Sequence, residues 1–197
     1  MSSLFVEAEE KLAALALQSL DGEELDVVVG GLGLGYTAAK ALENEAVRSL
    51  RVIETMAPVI SWHRLALVPL GDKLALDSRC SLVHGDFFKL ASSSGGFDPD
   101  NPGRLFHAVL LDIDHSPSHW LDTGNSAFYT DSGLTALAAS LHPGGVFGLW
   151  SNDPPDEAFV SLLGEVFASA KFHLVTFANP YTGGESSNTI YLACKAG

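Results

Sequence analysis

Asp26-Val27-Val28-Val29-Gly30-Gly31-Leu32-Gly33-Leu34-Gly35-Tyr36 is the stretch around which the rest of the chain is organised. The apolar run reads as a strand, the four glycines as a tight turn, and residues 37–42 as a helix. A strand that feeds a helix through a glycine-rich turn leaves bare backbone amides at the helix N-terminus, where a nucleotide can lie against the chain. Gly30, Gly31, Gly33 and Gly35 are therefore candidate cofactor-binding positions. Glycines also serve plain tight turns, and the residues on either side separate the two uses.

Upstream, Leu4, Ala8, Leu12, Leu15 and Leu20 fall at largely helical spacing, with Glu9, Glu10 and Lys11 on the other side. This predicts an amphipathic helix over residues 3–20, lying on a sheet and ended by Asp21-Gly22. Downstream, strands are expected at 50–53, 81–83, 107–111 and 146–150. Helices are expected at 58–64, 87–91, 131–141 and 157–168. Residues 92–103, rich in Ser, Gly and Pro, read as a surface loop. Residues 172–177 and 189–193 are strand-like with no helix between them, so they must pair antiparallel. The expected fold is α/β, a doubly wound, mostly parallel seven-stranded sheet of Rossmann-like form, with helices on both faces and a C-terminal antiparallel hairpin. One domain is expected over residues 1–197, with 1–24 as the N-terminal helix and 25–197 as the sheet core.

Eleven Lys and Arg against 24 Asp and Glu give a net charge of -13. Such a chain repels nucleic-acid backbones and anionic membrane surfaces, and suits a small cationic substrate such as a polyamine. Cys80 and Cys194 are too few for a disulfide framework. No basic leader and no membrane-length apolar run is present, so a cytoplasmic protein is expected. A nucleophile elbow and a Gly-Lys-Ser/Thr phosphate loop are both missing from the sequence.

On a doubly wound sheet, ligands sit beyond the carboxyl ends of the strands, and acidic residues fall at those ends. Glu54, 23 residues after Gly31, is placed to accept hydrogen bonds from ribose hydroxyls, with Thr55 beside it. Asp86 closes the third strand, where an adenine amine needs an acceptor, and Phe87 is expected to pack near the ring. Asp112 and Asp114 end the central strand; strand alternation would send both to one face, to hold a substrate amine or take its proton.

These motifs resemble the class I S-adenosylmethionine-dependent transferases, and within them most closely the spermidine synthase (polyamine aminopropyltransferase) family. The resemblance rests on Val27 to Gly35, Val52-Ile53-Glu54, Gly85-Asp86, Leu110-Leu111-Asp112, Phe128-Tyr129-Thr130 and Leu141-His142-Pro143-Gly144-Gly145. It implies S-adenosylmethionine or its decarboxylated form as co-substrate. It further implies that Glu54 binds the ribose, Asp86 the adenine amine, and Asp112 the attacking amine as proton acceptor. A homodimer is compatible with it, and no resident metal is expected. Three features depart from that family. The glycine loop lacks the family's aspartate, His115 stands where its second catalytic-loop aspartate belongs, and only about 25 residues precede the first strand, so its N-terminal β-hairpin domain is expected to be absent. Two other readings stay open. One is a methyltransferase, metal-assisted if Asp112, Asp114, Asn152 and Asp153 converge on a divalent cation; His115 and His119 are spaced as a helical metal pair, but Pro117 lies between them. The other is a nucleoside-binding module without turnover.

Overall fold

Val27 and Val29 pack into one hydrophobic core and Val28 into another on the opposite side, as strand alternation requires. The computed structural model describes residues 5–181 and 183–197. In chain order the elements are α1 (Glu7–Gln18), β1 (Leu25–Gly30), α2 (Tyr36–Leu42), β2 (Val47–Glu54), α3 (Ala57–Arg64), α4 (Gly71–Leu76), β3 (Cys80–His84), α5 (Phe87–Ala91), β4 (Phe106–Leu111), a 3-10 helix (Thr123–Tyr129), α6 (Asp131–Ala139), β5 (Leu141–Ser151), α7 (Glu157–Val166), β6 (Ser169–Asn179) and β7 (Gly184–Cys194).

The strands form one sheet in the order β3-β2-β1-β4-β5-β7-β6. The first four pairings in that order are parallel, and β7 runs antiparallel to both β5 and β6. This is the doubly wound, mostly parallel seven-stranded sheet that the sequence predicts. Leu12, Ala38, Ile60 and Leu74 bring α1 to α4 onto one face, while Phe87, Leu134 and Leu163 bring α5 to α7 onto the other. The central strands are covered on both sides, and β1 is buried along its whole length, which is why they read as unbroken apolar runs. Strand order reverses beside β1, between β2 and β4. Gly30 pairs there with Ile53 on one side and Leu111 on the other, so Glu54 and Asp112 follow at the same level.

Several boundaries shift from expectation. The N-terminal helix spans Glu7–Gln18 rather than 3–20; Leu20 lies past its end, and Leu4 falls outside the described residues. The helix expected over 131–141 stops at Ala139, and Leu141 instead opens β5 by pairing with Phe106 across a register irregularity. The helix expected over 157–168 stops at Val166 because Phe167 is extended. The second strand begins three residues early, at Val47. The last two strands are 11 residues each. Helix α4 is an addition: its six residues carry too short a pattern to show period. Among the described residues, no helix is long and apolar enough to cross a membrane.

Candidate active site

The glycine turn closes onto the neighbouring strand ends. Gly31 adopts φ +92°, and a Cβ there would collide with the carbonyl oxygen of Asp112, so only glycine brings the two chain segments this close. Around it, the Gly31 amide donates to Ile53 O at 2.9 Å and the Asp112 amide to Gly30 O at 2.9 Å. Fully buried His63 of α3 sets Nε2 3.0 Å from Gly33 O. A carbonyl only accepts, so Nε2 carries the proton, and the turn is braced from behind.

Glu54 ties this turn to β2. Its Oε2 accepts from the Leu32 amide at 3.1 Å and its Oε1 from the Met56 amide at 2.8 Å. Each carboxylate oxygen keeps a further lone pair for a hydroxyl donor. Thr55 follows and lines a cavity of about 470 Å³ with Asp86, Phe88, Ile113, Leu121 and Phe128. Asp86 caps α5, its Oδ1 accepting from the amides of Phe88 at 3.1 Å and Lys89 at 3.2 Å, and its Oδ2 lying 3.0 Å from Lys89 Nζ. Burial pushes its carboxyl up, but the Lys89 contacts outweigh this and hold it below the ordinary carboxylate value.

Phe87 does not face this cavity. It is 2% exposed, stacks on Phe97 with ring centroids 5.0 Å apart, and fills the space beneath Gly30. Phe88, one residue on, takes the place expected for Phe87. The first turn of α5 sends adjacent side chains in different directions, and the apolar pair gave no sign of which would point inward.

A second cavity, of about 450 Å³, lies against the glycine turn and shares Ile113 and Leu121 with the first as a dividing wall. Glu9, Tyr36, Asp112, Trp150 and Phe177 line it with residues 32–35. Its lining among the described residues includes two carboxylates and no lysine or arginine. Burial pushes the Asp112 carboxyl up to about 6, against the opposing hydrogen bond from the Thr37 hydroxyl at 2.7 Å. Burial, with the charge of Asp112 added, pushes Glu9 up to about 7.

Asp114 turns away from both cavities, contrary to the expectation that it shares a face with Asp112. It is 1% exposed and accepts from the Leu121 amide at 2.7 Å, Asn125 Nδ2 at 2.9 Å and the Tyr129 hydroxyl at 2.9 Å. The chain leaves extended geometry after Leu111, so strand alternation stops applying. Asp114 instead fastens the segment that carries Leu121 into place.

The four oxygen ligands of the metal-assisted reading do not converge. Asp114 is spent as described, and Asp153 Oδ2 pairs with His119 Nδ1 at 2.6 Å. Residues 115–119 form a tight turn in which the His115 amide donates to His119 O, so the two histidines are not on a helix. Among the described residues, no three His, Cys, Asp or Glu side chains form a metal-binding group. Residues at the glycine turn and the two cavities that sequence reading did not single out as site candidates are His63, Thr37, Phe88 and Glu9. Glu9 looked like one charge among several on the solvent side of an amphipathic helix.

No known protein-family profile matches the sequence. Solved structures do match. A spermidine synthase in complex with the transition-state analogue AdoDATO superposes with a TM-score of 0.74 at 18% identity, over 98% of this chain and 61% of that one. The spermidine synthase from Thermotoga maritima gives 0.71 at 20% identity, over 98% and 60%. Human Methyltransferase-like protein 13 in complex with SAH gives 0.58 at 18% identity, over 98% and 79%. The chain thus has the fold shared by spermidine synthases and this methyltransferase, and spans about three fifths of the length of those synthases.

Proposed function

We propose that this chain is a transferase that binds S-adenosylmethionine or its decarboxylated form and passes an aminopropyl group to an amine, a polyamine being the fitting acceptor class. One observation carries the reading: Asp112, at the carboxyl end of β4, lines the cavity beside the glycine turn with its carboxyl raised to about 6. The residues fit such a nucleoside. The first cavity offers Asp86 as an acceptor and Phe88 and Phe128 as apolar walls, and Glu54, at the end of β2, holds the glycine turn through the Leu32 amide. The ligand would supply an electrophilic carbon beside a sulfonium: as the amine nitrogen bonds to that carbon, the carbon–sulfur bond would break and its electron pair would leave on sulfur, giving neutral methylthioadenosine from the decarboxylated donor. An acceptor amine is protonated at neutral pH and cannot attack until it loses that proton. Asp112 would first hold the cation and then take the proton, and a raised pKa makes it a better base than an ordinary carboxylate. The negative lining would draw the cation inward.

Methyl transfer is the second reading, favoured by the glycine turn that offers only Gly and Leu from Gly30 to Gly35 and by the likeness to human Methyltransferase-like protein 13. Calorimetric titration separates the two. Methylthioadenosine and decarboxylated S-adenosylmethionine binding, with S-adenosylmethionine weak, supports aminopropyl transfer; tight S-adenosylhomocysteine binding supports methyl transfer. In Asp112→Asn, transfer should fall roughly 10²–10⁴-fold with nucleoside affinity little changed. Transfer at the wild-type rate would overturn Asp112 as the base.

A further inference from the structure

We infer that Glu9 is the group that binds the donor nucleoside's ammonium, so that the second cavity accepts a cationic aminopropyl chain and rejects one that also carries a carboxylate. The inference rests on the reading that the glycine turn holds a sulfonium nucleoside. Glu9 lies on α1, outside the sheet motifs, yet it lines the cavity with Asp112 and the glycine turn. Its Oε2 is buried and has no hydrogen-bond partner. A buried carboxylate oxygen without a donor is costly, and it asks for a donor from outside the chain. Burial and the nearby Asp112 charge both resist its ionisation, which an arriving cation would relieve.

The rest of the cavity agrees. With no lysine or arginine among its described lining residues, a ligand carboxylate would meet Glu9 and Asp112, with His115 as the one basic side chain in that lining. Two amides at the turn that could have held it, those of Gly31 and Leu32, already donate to Ile53 O and Glu54. Aromatic side chains fill out the wall, with Phe5 and Phe177 5.2 Å apart and Tyr36 and Trp150 beside them. Such rings tolerate an ammonium that water no longer solvates. The turn itself has no acidic residue, and α1 supplies the charge from the side.

The test is calorimetric titration of the full chain and of Glu9→Gln with three ligands: methylthioadenosine, S-adenosylmethionine and decarboxylated S-adenosylmethionine. The wild type should bind the decarboxylated form at least about tenfold more tightly than S-adenosylmethionine. Glu9→Gln should lose about tenfold or more for the decarboxylated form while keeping its affinity for methylthioadenosine, which has no ammonium and reports that the variant is folded. Undiminished affinity of Glu9→Gln for the decarboxylated form, with methylthioadenosine still bound, overturns the role of Glu9 alone. Failure of methylthioadenosine to bind the wild type overturns the nucleoside reading, and this inference with it.

Discussion

The Thr37 hydroxyl donates to Asp112 Oδ2 at 2.7 Å, so the helix that follows the glycine turn fixes the carboxylate at the end of the neighbouring strand. The bond favours the charged form of Asp112 and works against the burial that raises it. Thr37→Val keeps the shape and removes the bond. A hydrogen bond to a charged group is worth about 1.5–3 kcal/mol, so the Asp112 pKa should rise by about one to two units. The pH profile of transfer should move to higher pH, with loss at neutral pH recovered in part at alkaline pH. A profile that does not move would show that Asp112 is not the titrating base.

Tyr129 and Asp114 set the stability of the segment over the two cavities. The Tyr129 hydroxyl donates to Asp114 at 2.9 Å, and burial, the Asp114 charge and this bond push the phenol upward, so it stays a donor. Tyr129→Phe should cost about 1.5–3 kcal/mol in urea unfolding. An unchanged midpoint would mean that Asn125 and the Leu121 amide suffice to hold Asp114.

The sheet was legible because parallel central strands are buried on both faces and cannot hide their apolar character: Val27 to Val29 and Val109 to Leu111 read as strands at once. Gly31 was legible because the close approach of the Asp112 carbonyl at a strand-to-helix turn demands glycine, and the place of Glu54 at a strand end followed from the apolar run before it. Sequence reasoning failed where side-chain direction is set by tertiary contact. Phe87 and Phe88 differ only in which way α5 turns them. Asp112 and Asp114 part because β4 ends at Leu111, ahead of both. Glu9 joins the site only because α1 packs beside the glycine turn, a relation between residues more than 100 positions apart in the case of Glu9 and Asp112.

Glu9 and Asp112 should leave a mark on stability. Both carboxyls are raised in the folded chain, Glu9 to about 7 and Asp112 to about 6, from ordinary values of 4.5 and 3.8. The folded state keeps protons that the unfolded chain gives up, so unfolding is favoured as pH climbs through this window. Their contribution to stability is intact below about pH 4 and lost as pH passes about 7. Glu9→Gln should therefore be more stable than the wild type at pH 8, with the difference closing near pH 4. A constant difference across that range would show that Glu9 ionises normally.

Glu54 clamps the Leu32 and Met56 amides through its two oxygens, and on the proposed reading the same oxygens receive the ribose hydroxyls of a bound nucleoside, so a single substitution confuses the two. Glu54→Ala should weaken methylthioadenosine binding by about 1.5–3 kcal/mol, as a lost hydrogen bond to a charged acceptor. Loosening of the glycine turn could produce the same loss. The 2′-deoxy form of methylthioadenosine separates the two, because it lacks one hydroxyl and leaves the turn alone. If Glu54 touches the ribose, the deoxy form binds the wild type more weakly than the ribose form, and Glu54→Ala binds both about equally. Should the variant still prefer the ribose form by the wild-type margin, Glu54 acts only as the clamp of the turn, and the hydroxyls are read elsewhere.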